Sequence, residues 1–369
     1  MYQNIQKLSS IGFFDIRPGL ERITDVLNNL DNPQNKIKYI LIAGTNGKGS
    51  VASILSSIMV SNGYKTGLYT SPHLISVTER IKIDNKDISE EIFDSALGTV
   101  FNACENTETE LSYFELVTAA AFVYFYQQNI DLGVLEVGMG GRWDATNVVN
   151  PLISVMTNIS FDHTKHLGNT TELISKEKAE IIKKNVPVVC GVSGDDLKVF
   201  TDKANETNSD ISYFPRDFNY KKTENNKFHY SGIDIQLGNL STNLVGSHQI
   251  INSTLALAAT ELLNRKYEIN IDFNNINIPL NSVELNGRFE ILNGNPALIL
   301  DCAHNIGSVN ALVNTLDELY KHQKFVFLLS MLNDKDHKGF ISTVSDKAEK
   351  IIITRIPNVR GSETEQLFK

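Results

Sequence analysis

The stretch Ala43-Gly44-Thr45-Asn46-Gly47-Lys48-Gly49-Ser50 holds the residue types that phosphate chemistry needs. Glycines let backbone amides approach an anion, a lysine reaches terminal phosphates and a hydroxyl closes the loop. An apolar, strand-forming run (39–43) precedes it and a helical stretch (50–60) follows. The strict Walker pattern is not met: Ile42 stands where that pattern has glycine, and Gly49 separates Lys48 from Ser50. The competing reading is a glycine-rich turn with an exposed lysine, and the flanking elements favour phosphate binding. Gly47, Lys48, Gly49 and Ser50 are therefore the expected nucleotide contacts.

Glu136 ends an apolar strand-like run (132–137), which places its carboxylate at the carboxyl edge of a sheet, where α/β proteins bind ligands. Gly138-Met139-Gly140-Gly141 then leaves little side-chain bulk in the way. Mg²⁺ takes hard oxygen ligands, so Glu136 suits it. Other residues are ambiguous alone. Ser50 and Ser71 at turns, taken alone, are more often helix caps. His163 is a lone histidine after Asp162, and Lys178 is one of four lysines on a helical stretch. Tyr113, Phe114 and Trp143 can stack on a flat heterocycle, although aromatics more often fill a core.

The elements that must position these residues alternate between strand-like and helix-like runs. Strands are expected at 39–43, 66–70, 132–137 and 152–157, and helices at 50–60, 114–128 and 248–263. This alternation argues for a parallel sheet covered on both faces. The polar stretch 195–243 predicts a small antiparallel excursion. Pro279, Asn286 and Gly287 break the pattern, placing a boundary near 282. Beyond it, strands are expected at 297–301, 325–330 and 351–354, with helices at 308–320 and 339–350. The expected architecture is α/β: a P-loop parallel-sheet ATPase domain (1–282) and a smaller, shortened, Rossmann-like α/β domain (283–369).

The 369 residues suit two domains, 41% of them hydrophobic and 21% charged. No apolar run approaches the roughly 18 residues of a membrane span, and there is no signal-peptide pattern. Three scattered cysteines argue against a disulfide framework and for a reducing, cytoplasmic compartment. A net charge of −9 argues against a nucleic-acid partner.

In order along the chain, several segments resemble the folylpolyglutamate synthase and dihydrofolate synthase branch of the Mur ligase superfamily. They are Gly44 to Ser50 with its Lys-Gly-Ser ending; Gly19-Leu20-Glu21-Arg22-Ile23; and Thr70-Ser71-Pro72-His73-Leu74 with Glu79-Arg80-Ile81. Leu135 to Arg142 with Asp144-Ala145-Thr146-Asn147, then Asp162-His163-Thr164 with Leu167-Gly168, and Lys176-Glu177-Lys178-Ala179 continue the match. Gly246-Ser247-His248-Gln249 with Asn252, Gly287-Arg288-Phe289-Glu290, and Asp301 with Ala303-His304-Asn305 extend it.

The resemblance implies an ATP-dependent ligase that adds L-glutamate to dihydropteroate or to the γ-carboxylate of a folate through an acyl phosphate, releasing ADP. It implies two Mg²⁺ ions held by Ser71, Glu136, His163 and Lys178, the lysine carbamylated by CO₂. It assigns catalytic weight to Lys48, Lys178 and His163, and nucleotide contacts to Asn252, Arg288 and Asp301. The pterin-contacting stretches correspond to Ser112, Tyr113, Phe114 and Glu115, and to Trp143, Asp144 and Ala145. His304 is expected to line the same cleft. Only small-molecule partners and a monomer are expected.

Two readings compete: a Mur ligase of another branch acting on a different carboxylate, and a nucleotide-binding homologue with impaired ligation. The Lys-Gly-Ser loop speaks against the first. The presence of Lys48, Glu136, His163 and Lys178 speaks against the second. The short stretch after Phe289 keeps the second open, and predicts an incomplete sheet with an uncovered strand at 351–354, weak glutamate ligation or self-association.

Overall fold

A computed structural model of the chain describes residues 2–12, 17–224, 226–357 and 360–367. The main sheet has eight strands: β1 (Lys38–Ala43), β2 (Thr66–Tyr69), β3 (Ile81–Ile83), β4 (Lys86–Asp87), β5 (Leu132–Glu136), β6 (Ile153–Met156), β7 (Val188–Cys190) and β8 (Ile211–Tyr213). Their spatial order is β4-β3-β2-β5-β1-β6-β7-β8. The run from β2 to β8 is parallel, whereas β3 and β4 pair antiparallel at one edge. The sheet is thus mixed, which corrects the expectation of a parallel one. The turn at Asp84 and Asn85, both at positive φ, reverses the chain and sets that antiparallel edge.

The first ten helices are α1 (Gln3–Ser9), α2 (Glu21–Asn29), α3 (Lys48–Ser61), α4 (Glu90–Asn106), α5 (Tyr113–Gln127), α6 (Thr164–Leu167), α7 (Thr171–Ala179), α8 (Leu197–Glu206), α9 (Ser247–Tyr267) and α10 (Asn277–Ser282). They cover both faces of the sheet. On β1, Tyr39, Leu41 and Ala43 pack with Ile23, Phe93 and Phe122 of α2, α4 and α5. Ile40 and Ile42 point the other way, to Val51 and Leu55 of α3 and Leu255 of α9. A strand buried on both sides needs a continuous apolar run, which is what 39–43 supplies.

The expected polar excursion is only partly separate. Residues 197–206 form α8, and β8 extends the main sheet. Only β9 (Asn219–Glu224), β10 (Lys227–Ser231) and β11 (Gln236–Ser241) make an antiparallel sheet of their own.

The small C-terminal domain holds β12 (Glu290–Leu292), β13 (Leu298–Leu300), α11 (Ile306–Leu319), β14 (Phe325–Leu329), α12 (His337–Ser345) and β15 (Ala348–Ile353). Strand β12 had no sequence expectation, and the helix expected at 339–350 ends at Ser345 because β15 begins at Ala348. Instead of one sheet, the strands form an antiparallel hairpin, β12–β13, and a parallel pair, β14–β15. Val309, Met331, Phe340 and Val344 form the core of this domain. The opposite face of the pair leaves Val326, Leu328 and Ile352 exposed. No helix among the described residues is long and apolar enough to cross a membrane.

Candidate active site

The loop between β1 and α3 owes its shape to two glycines and to cross-bracing. Gly47 lies at φ +81°, and a Cβ there would sit 2.5 Å from the Asn252 side-chain oxygen, so only glycine lets α9 approach the loop this closely. Gly44 at φ +146° meets Thr157 in the same way. The segment after β6 laces the loop in place. Asn158 accepts from the Asn46 amide at 3.0 Å, and the Thr157 hydroxyl and Asn158 amide donate to the Asn46 carbonyl at 2.6 and 2.9 Å. Lys48 opens α3, and its ammonium donates to the Thr45 carbonyl at 3.1 Å.

The loop floors a cavity of about 490 Å³. Gly47, Lys48, Gly49, Ser50, Ser71, Glu136, His163, Lys178, Asn252, Arg288, Asp301 and His304 all line it. The parallel register explains part of this convergence. Ile42 pairs with Glu136 and Ala43 with Met156, so the loops after β1, β5 and β6 leave the same edge.

Electrostatics in the cavity are unusual. Glu136 is buried, and its Oε2 accepts the Ser71 amide at 3.0 Å. Burial pushes its pKa up, against the pull of Lys48, the Ser71 N–H and Arg288. Lys178 is buried and donates to the Gly44 carbonyl at 2.7 Å. Burial, assisted by the Lys48 charge, lowers its pKa to about 7, with Asp162 and Asp144 opposing. His163 immediately precedes α6, at φ +50°, and burial lowers its pKa to about 4 despite the neighbouring Asp162, leaving a neutral imidazole. Asp162 is itself buried, yet the hydrogen bonds from His304 and Lys335 and the charge of Lys335 hold it well below the usual carboxylate range.

This arrangement matches known proteins along the chain. Residues 42–260 match the Mur ligase middle domain, and residues 287–369 match the Mur ligase glutamate ligase domain. The folylpolyglutamate synthase of Lacticaseibacillus casei is 33% identical over 346 residues, covering 91% of this chain and 81% of its own. The dihydrofolate synthase/folylpolyglutamate synthase of Bacillus subtilis is 32% identical over 96% of this chain and 85% of its own. An Escherichia coli structure with DHPP and ADP superposes with a TM-score of 0.91 at 31% identity, over 99% of this chain and 85% of that one.

The chain belongs to the folylpolyglutamate synthase/dihydrofolate synthase family of Mur ligases. It is thus an ATP-dependent ligase of the kind that adds glutamate to folates. A bifunctional synthase solved with Mn, AMPPNP and L-glutamate superposes at a TM-score of 0.88 and 30% identity, over 98% of this chain and 85% of that one.

Within this family member, seven expected residues lie away from the cavity lining. Ser112 caps α5, its amide and hydroxyl donating to Glu115 at 2.8 and 2.6 Å, and Glu115 pairs with Arg22 at 3.2 Å. Tyr113 and Ala145 are buried. Phe114 packs on Tyr69 and against Gly138, a cavity residue. Asp144 accepts from the Met139 amide and from Thr146, shaping the glycine-rich turn after Glu136. Trp143 remains 48% exposed. Asp301 spends its oxygens locally on the Phe289 and Ala303 amides, which fixes the turn carrying Arg288.

The sequence reading did not single out Asn46, Asn158, Asn305 or Lys335. Asn46 and Asn305 both lie in segments that carry the resemblance, but only the structure shows them exchanging hydrogen bonds at 3.0 and 3.2 Å. Lys335 sits in Asp-Lys-Asp, which reads as a solvated turn.

Proposed function

We propose that the chain joins L-glutamate to dihydropteroate, to the γ-carboxylate of a folate, or to both, through an acyl phosphate. The supporting observation is the meeting of the phosphate loop with three electrostatically perturbed side chains, buried Glu136 and Lys178 and half-buried His163, in one cavity. The DHPP and ADP held by one relative, and the Mn, AMPPNP and L-glutamate held by another, support the substrate assignment.

The side chains fit divalent ions. Glu136 is a buried carboxylate with hard oxygen donors, His163 is a neutral donor, and Ser71 adds a hydroxyl. Lys178 as an ammonium would repel a metal. A buried amine with a pKa near 7 can react with CO₂, and the carbamate is anionic. Ser71, Glu136, His163 and carbamylated Lys178 would hold two Mg²⁺ ions, which when bound neutralise charge on the transferring phosphoryl group.

The chain's own groups then position the reactants. Amides of Gly47, Lys48, Gly49 and Ser50 cradle the phosphates, and Lys48 and Arg288 supply charge at the terminal phosphate. Asn252 and the Asp301-braced turn flank the nucleotide. An oxygen of the acceptor carboxylate attacks the γ-phosphorus and ADP departs. The glutamate amine attacks the acyl carbon, loses a proton and expels phosphate. Trp143, half exposed beside the glycine-rich turn, is the aromatic assigned to the pterin.

With the acceptor carboxylate labelled with heavy oxygen, one labelled atom is expected in the released phosphate. Label-free phosphate formed during net ligation would contradict the acyl-phosphate route.

A further inference from the structure

Two carboxylates stand at the carboxyl end of α7: Glu177 in its last turn and Glu180 at its cap. Negative charge is disfavoured there, because the unpaired carbonyls of a helix end already carry partial negative charge. Arg142 sits against both. Its Nε lies 3.2 Å from Glu177 Oε1, and its Nη2 donates to Glu180 Oε1 at 3.4 Å. Lys203 offsets Glu180 a second time at 3.1 Å, whereas Arg142 alone pairs with Glu177 among the described residues. The same guanidinium stands 6.0 Å from the centre of the Trp143 ring.

The backbone fastens the same two pieces. The Arg142 amide donates to the Glu177 carbonyl at 3.0 Å, taking up one of the carbonyls that a helix leaves unpaired at its end. The Asn147 side-chain amide donates to the carbonyls of Arg142 and Glu180 at 3.2 and 3.4 Å. At Gly141 a Cβ would lie 2.7 Å from the Glu177 carbonyl oxygen and 3.0 Å from the Lys178 Cα, so a side chain there would push α7 away. The turn after Glu136 therefore lies directly on the Lys178 backbone, while the Lys178 ammonium reaches Gly44 in the phosphate loop.

Carbamylation adds a third negative charge to this helix end. The Lys178 nitrogen forms a bond to the carbon of CO₂, one C–O electron pair moves onto oxygen, and the nitrogen loses a proton. A cation thus becomes an anion in the turn that already holds Glu177 and Glu180. We infer that Arg142 is a positioning residue for Lys178: its charge offsets the acidic end of α7 and favours the carbamate over the ammonium, while its backbone holds the lysine against the glycine-rich turn. This role rests on the carbamate reading proposed above. The Arg142 side chain is 40% exposed, and exposed ion pairs contribute little to folding stability, so its loss leaves the fold in place.

The test takes the full chain stripped of CO₂ and returned to ¹³C-labelled bicarbonate at fixed pH, followed by NMR of the carbamate carbon, thermal melts and ligation rate. Lys178→Ala identifies the resonance by losing it. Arg142→Met is expected to raise the bicarbonate concentration for half the full carbamate signal by about fivefold, while melting cooperatively near the wild-type temperature. Its kcat is expected to fall at low bicarbonate and to return to within about twofold of the wild type at saturating bicarbonate, with the ATP KM within about twofold throughout. Arg142→Lys, which keeps the charge, is expected to stay within about twofold of the wild type in its bicarbonate demand. A carbamate signal that fills at the wild-type bicarbonate concentration in Arg142→Met, an equal shift in Arg142→Lys, or a kcat deficit that saturating bicarbonate leaves in place would each overturn the role of Arg142 alone. A wild type without the carbamate signal would overturn the carbamate reading, and this role with it.

Discussion

Lys48→Ala is expected to lower kcat/KM for ATP by a factor on the order of a thousand while the protein still melts cooperatively near the wild-type temperature. Lys48 opens α3 and lines the cavity, and its ammonium hydrogen bond goes to the Thr45 carbonyl of its own loop. It takes no part in the two core clusters that hold the main sheet, so its loss removes charge rather than packing. The size of the effect follows from where the charge acts. In a site closed off from water, a fixed cation facing the transferring phosphoryl group contributes far more than on a surface. A variant ligating at the wild-type rate would remove Lys48, and with it the loop, from the reaction.

Lys178→Ala is expected to be as damaging, for a different reason. Lys178 is buried against the Gly44 carbonyl, where a bare ammonium beside Glu136 and His163 would exclude a metal. If the working group is the carbamate, small carboxylates such as acetate should partly restore turnover in Lys178→Ala. They should not restore Lys48→Ala. The carbamate predicts a pH signature in the wild type as well. Carbamate formation consumes neutral amine and CO₂ and releases one proton. The Lys178 pKa is lowered to about 7, so the amine is protonated below that pH and free above it. Enzyme stripped of CO₂ and returned to bicarbonate should therefore recover activity increasingly as pH rises through about 7. Recovery that is flat across this range, together with no carboxylate rescue, would leave Lys178 as a lysine and not a carbamate.

How much of this was legible before the structure depended on the range of the signal. Local signals worked well. The apolar run 39–43, the glycine-rich loop and the helix after it appear as β1, the loop and α3, because strand burial, glycine φ and helix starts are set within a few residues. Glu136 was readable because a carboxylate closing an apolar strand has few places to go. What failed was pairing. Nothing in Ile81 to Asp87 announced that these residues would turn back antiparallel on β2, since the direction of pairing is decided across space. Likewise β8 joins the main sheet although its sequence neighbourhood is polar. The substrate stretches show the same limit from the other side. Ser112 and Glu115 stand three apart, the spacing of a capping box, and that local role accounts for their hydrogen bonds. Lys335 was invisible, because a lysine between two aspartates reads as solvated until Asp162, 173 residues earlier, is seen beside it.

The central claim is that this chain couples ATP cleavage to the joining of glutamate to a folate-type acid. The most direct measurement is ADP release with dihydropteroate, tetrahydrofolate and a UDP-muramyl precursor compared side by side, each with and without L-glutamate. Sustained ADP release is expected with dihydropteroate, tetrahydrofolate or both, only when glutamate is present, and not with the UDP-muramyl precursor. Turnover on the UDP-muramyl precursor, or ADP release from the folate-type acids that is indifferent to glutamate, would contradict it.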